Sequence, residues 1–196
     1  MELKEARDLI IAAVVLSAVF AYQGLNTNSF VANIPAAALG VALGFLLHEL
    51  AHRFFARKYK CHAQFQLWPT GMMLAVVLAF VSNGSFIFAA PGAVMIHEAM
   101  DVWGNVTPLG KKRYGIVSLA GPAVNIVLAG IFFAAHLLNP LPIFSFAMMV
   151  NVWLAVFNML PIPPLDGSKV LAWDKRIWAG VFIFLIAIFL LFGTGI

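Results

Sequence analysis

The sequence predicts an all-α polytopic membrane protein of about six transmembrane helices, with a small re-entrant or β element near its middle. Three observations carry that expectation. Apolar residues make up 63% of the 196 residues and charged ones 10%, against roughly 45–50% and 25% in soluble domains. The apolar residues fall in long runs, several of them near the ~20 residues needed to cross ~30 Å of hydrocarbon. All 12 Lys and Arg lie at 4–7, 53–60, 111–113 and 169–176, while the turns at 23–33, 82–85 and 139–142 carry none. This length suits one membrane-embedded domain over residues 1–196 with no room for a separate soluble one. The only cysteine, Cys61, has no partner for an internal disulfide.

Residues 9–22 form a first apolar run. Glu2, Glu5 and Asp8 beside Lys4 and Arg7 suit a cleaved signal peptide poorly, so an uncleaved span is expected. Pro35 is expected to open a second helix that continues to about Ala56. Residues 63–68, Ala-Gln-Phe-Gln-Leu-Trp, alternate with period two and read as a short strand. Residues 71–81 read as a helix and 82–85 as a turn. Pro91-Gly92 interrupts the apolar run 86–96, so this stretch is expected to be extended or broken and covered by protein rather than lipid. Residues 115–138 contain Gly121-Pro122 and Asn125 and form a long span. A Pro-containing turn leads to the span 143–160, the prolines at 161, 163 and 164 end it, and residues 177–192 form the last.

Lys and Arg accumulate in cytoplasmic loops. Alternating crossings put every basic cluster on one side if residues 67–96 go across and back, so the N-terminus and three basic loops are expected in the cytoplasm. A nucleic-acid surface would need those charges gathered on a folded domain. Spread along membrane boundaries, they are anchors, and the expected surroundings are a lipid bilayer.

The chemistry sits inside the second span, at His48-Glu49-Leu50-Ala51-His52. Histidines four apart stack on one helix face, where both can reach a single zinc ion. Glu49 follows the first histidine and can act as general base on a water at that ion. His48 precedes Lys58 by ten residues, so the site is expected ~15 Å from the cytoplasmic boundary along the helix. Ionisable groups at that depth are costly and by default functional.

Catalytic zinc takes three protein ligands and leaves one position for water. The candidates for the third are His62, His97, Glu98, Asp101, His136 and Asp166. His136 stands ~30 Å from Tyr114 along its helix, too near the outer face, and is expected to be a core histidine bonded to a neighbouring helix. His97-Glu98-Ala99-Met100-Asp101 imitates the first motif but has Asp in place of the second His, which suits an interfacial cap or a salt-bridge former. His62, beside Lys60, reads as a solvated loop residue. Asp166 follows three prolines that forbid helix just after a span, and such a segment should line a cavity. Gly167 would permit a sharp bend there.

These residues resemble the site-2 protease family of intramembrane zinc metalloproteases. The resemblance rests on His48-Glu49-Leu50-Ala51-His52, on Asn158-Met159-Leu160-Pro161-Ile162-Pro163-Pro164-Leu165-Asp166-Gly167, and on Gly121-Pro122-Ala123-Val124-Asn125 between them. It covers roughly residues 35–175 and matches the minimal form without a PDZ domain. The family commonly has Gly where this chain has Ala51, and residues 68–85 look like an insertion. The resemblance implies that His48, His52 and Asp166 bind one catalytic zinc ion and that Glu49 is the general base. It also implies that Asn158 positions substrate or stabilises the oxyanion. Asn151, seven residues before Asn158, is expected to join helices, and Gly121-Pro122 with Asn125 to allow close packing on the motif helix.

The expected activity is hydrolysis of a peptide bond in or near the transmembrane helix of a membrane-protein substrate. A metal transporter would need polar groups on both sides of the site, and the outer halves of these spans offer little beyond His136. An inactive scaffold would have lost Glu49 or a ligand. The stretches 64–68 and 86–94 are expected either to offer an open strand edge to an extended substrate or to form a simple cap.

Overall fold

The computed structural model of the protein describes residues 3–97 and 109–192. Those residues are mostly helical. In chain order they form α1 (Leu3–Ala21), α2 (Thr27–Lys58), β1 (His62–Leu67), α3 (Pro69–Val81), β2 (Gly92–His97), α4 (Gly110–Leu138), α5 (Pro142–Asn158), α6 (Asp166–Trp173) and α7 (Lys175–Phe192). Three helices, α2, α4 and α7, are long and apolar enough to cross a bilayer, and α3 and α5 are shorter apolar helices.

α2 is the axis of the fold, and it begins eight residues before Pro35. The Asn26 side chain accepts from the backbone N–H groups of Asn28 and Ser29 and so starts the helix; such a cap contributes about 1 kcal/mol. Pro35 then lies inside the helix. There it costs one backbone hydrogen bond, whereas a break would strand several polar groups in apolar surroundings, each at several kcal/mol. The helix therefore runs through.

Along α2, Gly40, Gly44, His48 and His52 recur every four residues and share one face. The two glycines let α5 approach closely. A Cβ at Gly40 would stand 2.9 Å from the Cβ of Val150, and one at Gly44 would stand 2.6 Å from Oδ1 of Asn151. Around this contact one buried cluster joins Leu16 and Phe20 of α1, Val41 and Phe45 of α2, and Leu154 and Phe157 of α5. A second joins α4, α5 and α7 through Leu128, Phe132, Val152, Val156 and Leu185. Leu185 is the one fully buried residue of α7, and Trp178, Val181, Phe182 and Phe189 pack half-buried against this second cluster.

Residues 63–68 and 86–96 are extended as expected, and their strands pair. β1 and β2 run antiparallel with Phe65 opposite Val94 and Gln66 opposite Ala93. The Trp68 N–H donates to the Pro91 carbonyl at 2.8 Å, which sets the alternation of the ladder. Backbone groups of Phe65 therefore point away from β2, and those of Gly92, Val94 and Ile96 point away from β1.

The three prolines do keep residues 161–165 out of helix, but Gly167 makes no left-handed bend. It lies in the first turn of α6, where a Cβ would run into the carbonyls of Met159 and Leu160. Glycine is required there because α6 starts hard against the end of α5.

Candidate metal centre

α4 lies antiparallel to α2 and meets the histidine face with Val117, Gly121 and Asn125, again four residues apart. Each of these three does a different thing. His52 Nδ1 donates to the Val117 carbonyl at 2.8 Å. A carbonyl oxygen can only accept, so the proton sits on Nδ1 and the lone pair on Nε2. His48 Nδ1 lies 2.6 Å from Asn125 Oδ1. The Asn125 amide nitrogen donates to Gly44 O at 3.1 Å and Asn151 Oδ1 at 3.0 Å, so its oxygen is the end facing the histidine and His48 has the same tautomer. Asn151 in turn donates to Ala147 O and Gly40 O. A buried amide chain thus fixes both rings and joins α2, α4 and α5, the joining role expected of Asn151.

The third donor arrives on α6. Asp166 Oδ2 stands 3.3 Å from His48 Nε2 and 3.1 Å from His52 Nε2. All three residues are buried, and they form a group able to hold a metal ion. Donors ~2.0–2.1 Å from one tetrahedral ion stand about 3.3 Å apart, so the spacing suits zinc. Gly121 gives a second fit. A Cβ there would lie 2.5 Å from His48 Nε2 and against His52 Nε2, and the missing side chain leaves the space between the two nitrogens open. The other carboxylate oxygen, Oδ1, faces Lys169 Nζ at 3.6 Å, one turn along α6. One oxygen of Asp166 is thereby turned to the histidines and the other to a cation.

Glu49 is buried, and its Oε2 has no hydrogen-bond partner among the described residues. It lines a cavity of about 270 Å³ together with the three donors, Asn158 and Lys169, and with residues 92–96 of β2. An unpaired carboxylate oxygen beside a three-donor group is what a proton acceptor at that group requires. Asn158 borders the same cavity, but its amide nitrogen donates to Leu154 O of its own helix at 2.9 Å.

His62 and His136 stand elsewhere. His62 opens β1, exposed and opposite His97 in the ladder. His136, in the last turn of α4, reaches the Leu141 carbonyl with Nδ1 at 3.3 Å; it ties down the turn between α4 and α5 rather than joining a core. Glu98 and Asp101 lie outside the described residues, as does the interfacial cap or salt-bridge former expected of that segment.

Sequence reasoning missed the roles of Asn125, Val117 and Lys169. The four-residue spacing of 117, 121 and 125 was a usable signal, since it matches that of the two histidines. Removing the amide by Asn125→Ala frees the His48 ring and should weaken zinc binding about 10–100-fold, as read by competition with a chromophoric chelator. Unchanged affinity would show that the ring needs no such support.

Fold and donor set together define a helical protein with membrane-grade spans and a metal-binding site beside a free carboxylate. The profile of Peptidase family M50 matches residues 135–180, which include the proline break and Asp166. "Putative zinc metalloprotease MJ0611" of Methanocaldococcus jannaschii is 38% identical over 183 residues, covering 90% of this chain and 87% of that protein. "Putative zinc metalloprotease YwhC" of Bacillus subtilis is 26% identical over 160 residues, 70% of this chain and 68% of its own length. No solved structure matches at a significant level. The chain belongs to Peptidase family M50.

Proposed function

We propose that the protein is a zinc-dependent intramembrane endopeptidase, a single membrane-embedded domain that cuts a peptide bond in or near the transmembrane helix of a membrane-protein substrate. The observation that carries this reading is the position of the site. His48, Glu49 and His52 are buried on α2, a helix apolar enough to span a bilayer, ~15 Å along its axis from Lys58. The lack of Lys and Arg in the turns at 82–85 and 139–142 supports six membrane helices, α1, α2, α3, α4, α5 and α7, with the chain returning after α3 through residues 86–96, and with the N-terminus and the site's opening on the cytoplasmic side.

His48, His52 and Asp166 hold the zinc ion, and Asn125 and the Val117 carbonyl keep the imidazole lone pairs directed at it. When bound, zinc supplies an acidified water and an electrophile for the peptide carbonyl. Glu49 accepts the proton as water oxygen bonds to the scissile carbon, and returns it to the amine nitrogen as the C–N bond breaks. Asn158 positions the substrate carbonyl once its amide turns from Leu154 O into the cavity. The extended substrate adds to the outer edge of β2, where the backbone groups of Gly92, Val94 and Ile96 point away from β1. A transmembrane helix must unwind locally to reach that edge.

The experiment uses purified protein in lipid nanodiscs with a single-span peptide substrate. Zinc near one ion per chain is expected, with cleavage inside or beside the apolar segment, lost on chelation and restored by zinc. Cleavage that survives complete zinc removal would overturn the mechanism, and cuts confined to soluble peptides would overturn the intramembrane assignment.

A further inference from the structure

Glu5 is a carboxylate in the first turn of α1 that takes no part in the chemistry above, yet it is only 3% exposed. A carboxylate is kept out of water only where its oxygens are paired. Oε2 takes Arg53 Nη1 of α2 at 3.1 Å. Oε1 accepts the backbone N–H of Phe65 in β1 at 3.0 Å. Two oxygens of one side chain therefore join α1, the histidine helix and the sheet.

The choice of Phe65 matters because its N–H belongs to the outer edge of β1. An unpaired edge is a template for another strand, and here the carboxylate occupies it. Phe65 is held a second time by its ring, which packs edge-on against Phe45 of α2 at 5.7 Å between centroids. Glu5 and Arg53 also line a small cavity with Glu49 and Val94, so this tie reaches both the general base and the middle of β2. The neighbouring Asp8 pairs instead with Arg7, whose side chain is 65% exposed, and forms no link to the sheet among the described residues.

We infer that Glu5 is a positioning residue for the substrate: it holds the β1–β2 sheet against the histidine face of α2 and closes the β1 edge, leaving β2 to receive an extended chain. This rests on the sheet-edge reading above. α1 is then part of the substrate-holding apparatus and more than an outer span.

The test uses the full zinc-loaded chain in nanodiscs. In Glu5→Ala, hydrogen exchange over residues 62–67 rises about tenfold without substrate, as loss of a charge-assisted hydrogen bond predicts. KM for the single-span peptide rises by about the same factor on the same grounds, while kcat and zinc content stay near wild type. Glu5→Gln keeps an acceptor for Phe65 without the ion pair, so it shows both changes at smaller size and decides the matter where the alanine variant does not fold. Unchanged exchange in β1, or faster exchange with unchanged KM, overturns the inference. Val94→Pro separates the two readings, because it removes an outward N–H of β2 and leaves Glu5 intact. If KM is unmoved in that variant, the sheet-edge reading has failed as well; if KM rises there and not in Glu5→Ala, only the role of Glu5 has failed.

Discussion

A Glu49→Gln protein should keep its zinc and lose cleavage of a single-span peptide by at least about 10²–10⁴-fold. Glutamine preserves the size of the side chain, so the packing of α2 is undisturbed. What it loses is the ability to take a proton from water and return it to the amine. The three donors are His48, His52 and Asp166, and Glu49 is not among them. Zinc content by atomic spectroscopy and cleavage by mass spectrometry are the paired measurements. Wild-type cleavage would remove Glu49 from the chemistry, and loss of zinc would place it among the ligands.

The second large effect is expected from one methyl group. Gly121→Ala puts a Cβ within 2.5 Å of His48 Nε2 and against His52 Nε2, in the space the metal ion needs. α4 cannot slide aside easily, because the bonds from His52 to Val117 and from His48 to Asn125 hold it on both sides of position 121. Zinc affinity should fall by at least ~100-fold, the upper end of what outer-shell disturbance does to a zinc site. Gly130→Ala is the control: it makes the same change on the same helix, where a Cβ would have nothing within 4 Å. Equal zinc content in the two variants would mean that the space beside Gly121 is not the metal's.

The charge map and apolar runs were legible because they are local properties of the chain. So were the His48/His52 pair, whose geometry follows from helical spacing, and the helix-breaking prolines before Asp166. The start of α2 was misread at Pro35, since proline's local cost was weighed without the larger cost of breaking a helix in apolar surroundings. Gly167 was read as a bend for a similar reason: nothing local reveals that the end of α5 leaves it no room for a side chain.

By itself, then, the sequence determined a polytopic helical class, two donors with an adjacent carboxylate, and a break before a third. Those features depend on residues within a few turns of each other. Only the tertiary structure decided that Asp166 meets both Nε2 atoms, and that Asn125 and the Val117 carbonyl set the tautomers. The same holds for the space kept by Gly121 and for the tie that Glu5 makes between α1 and the sheet. These contacts join residues 60 to more than 100 positions apart, and although the spacing of 117, 121 and 125 matches that of the histidines, periodicity alone does not say which atoms will meet.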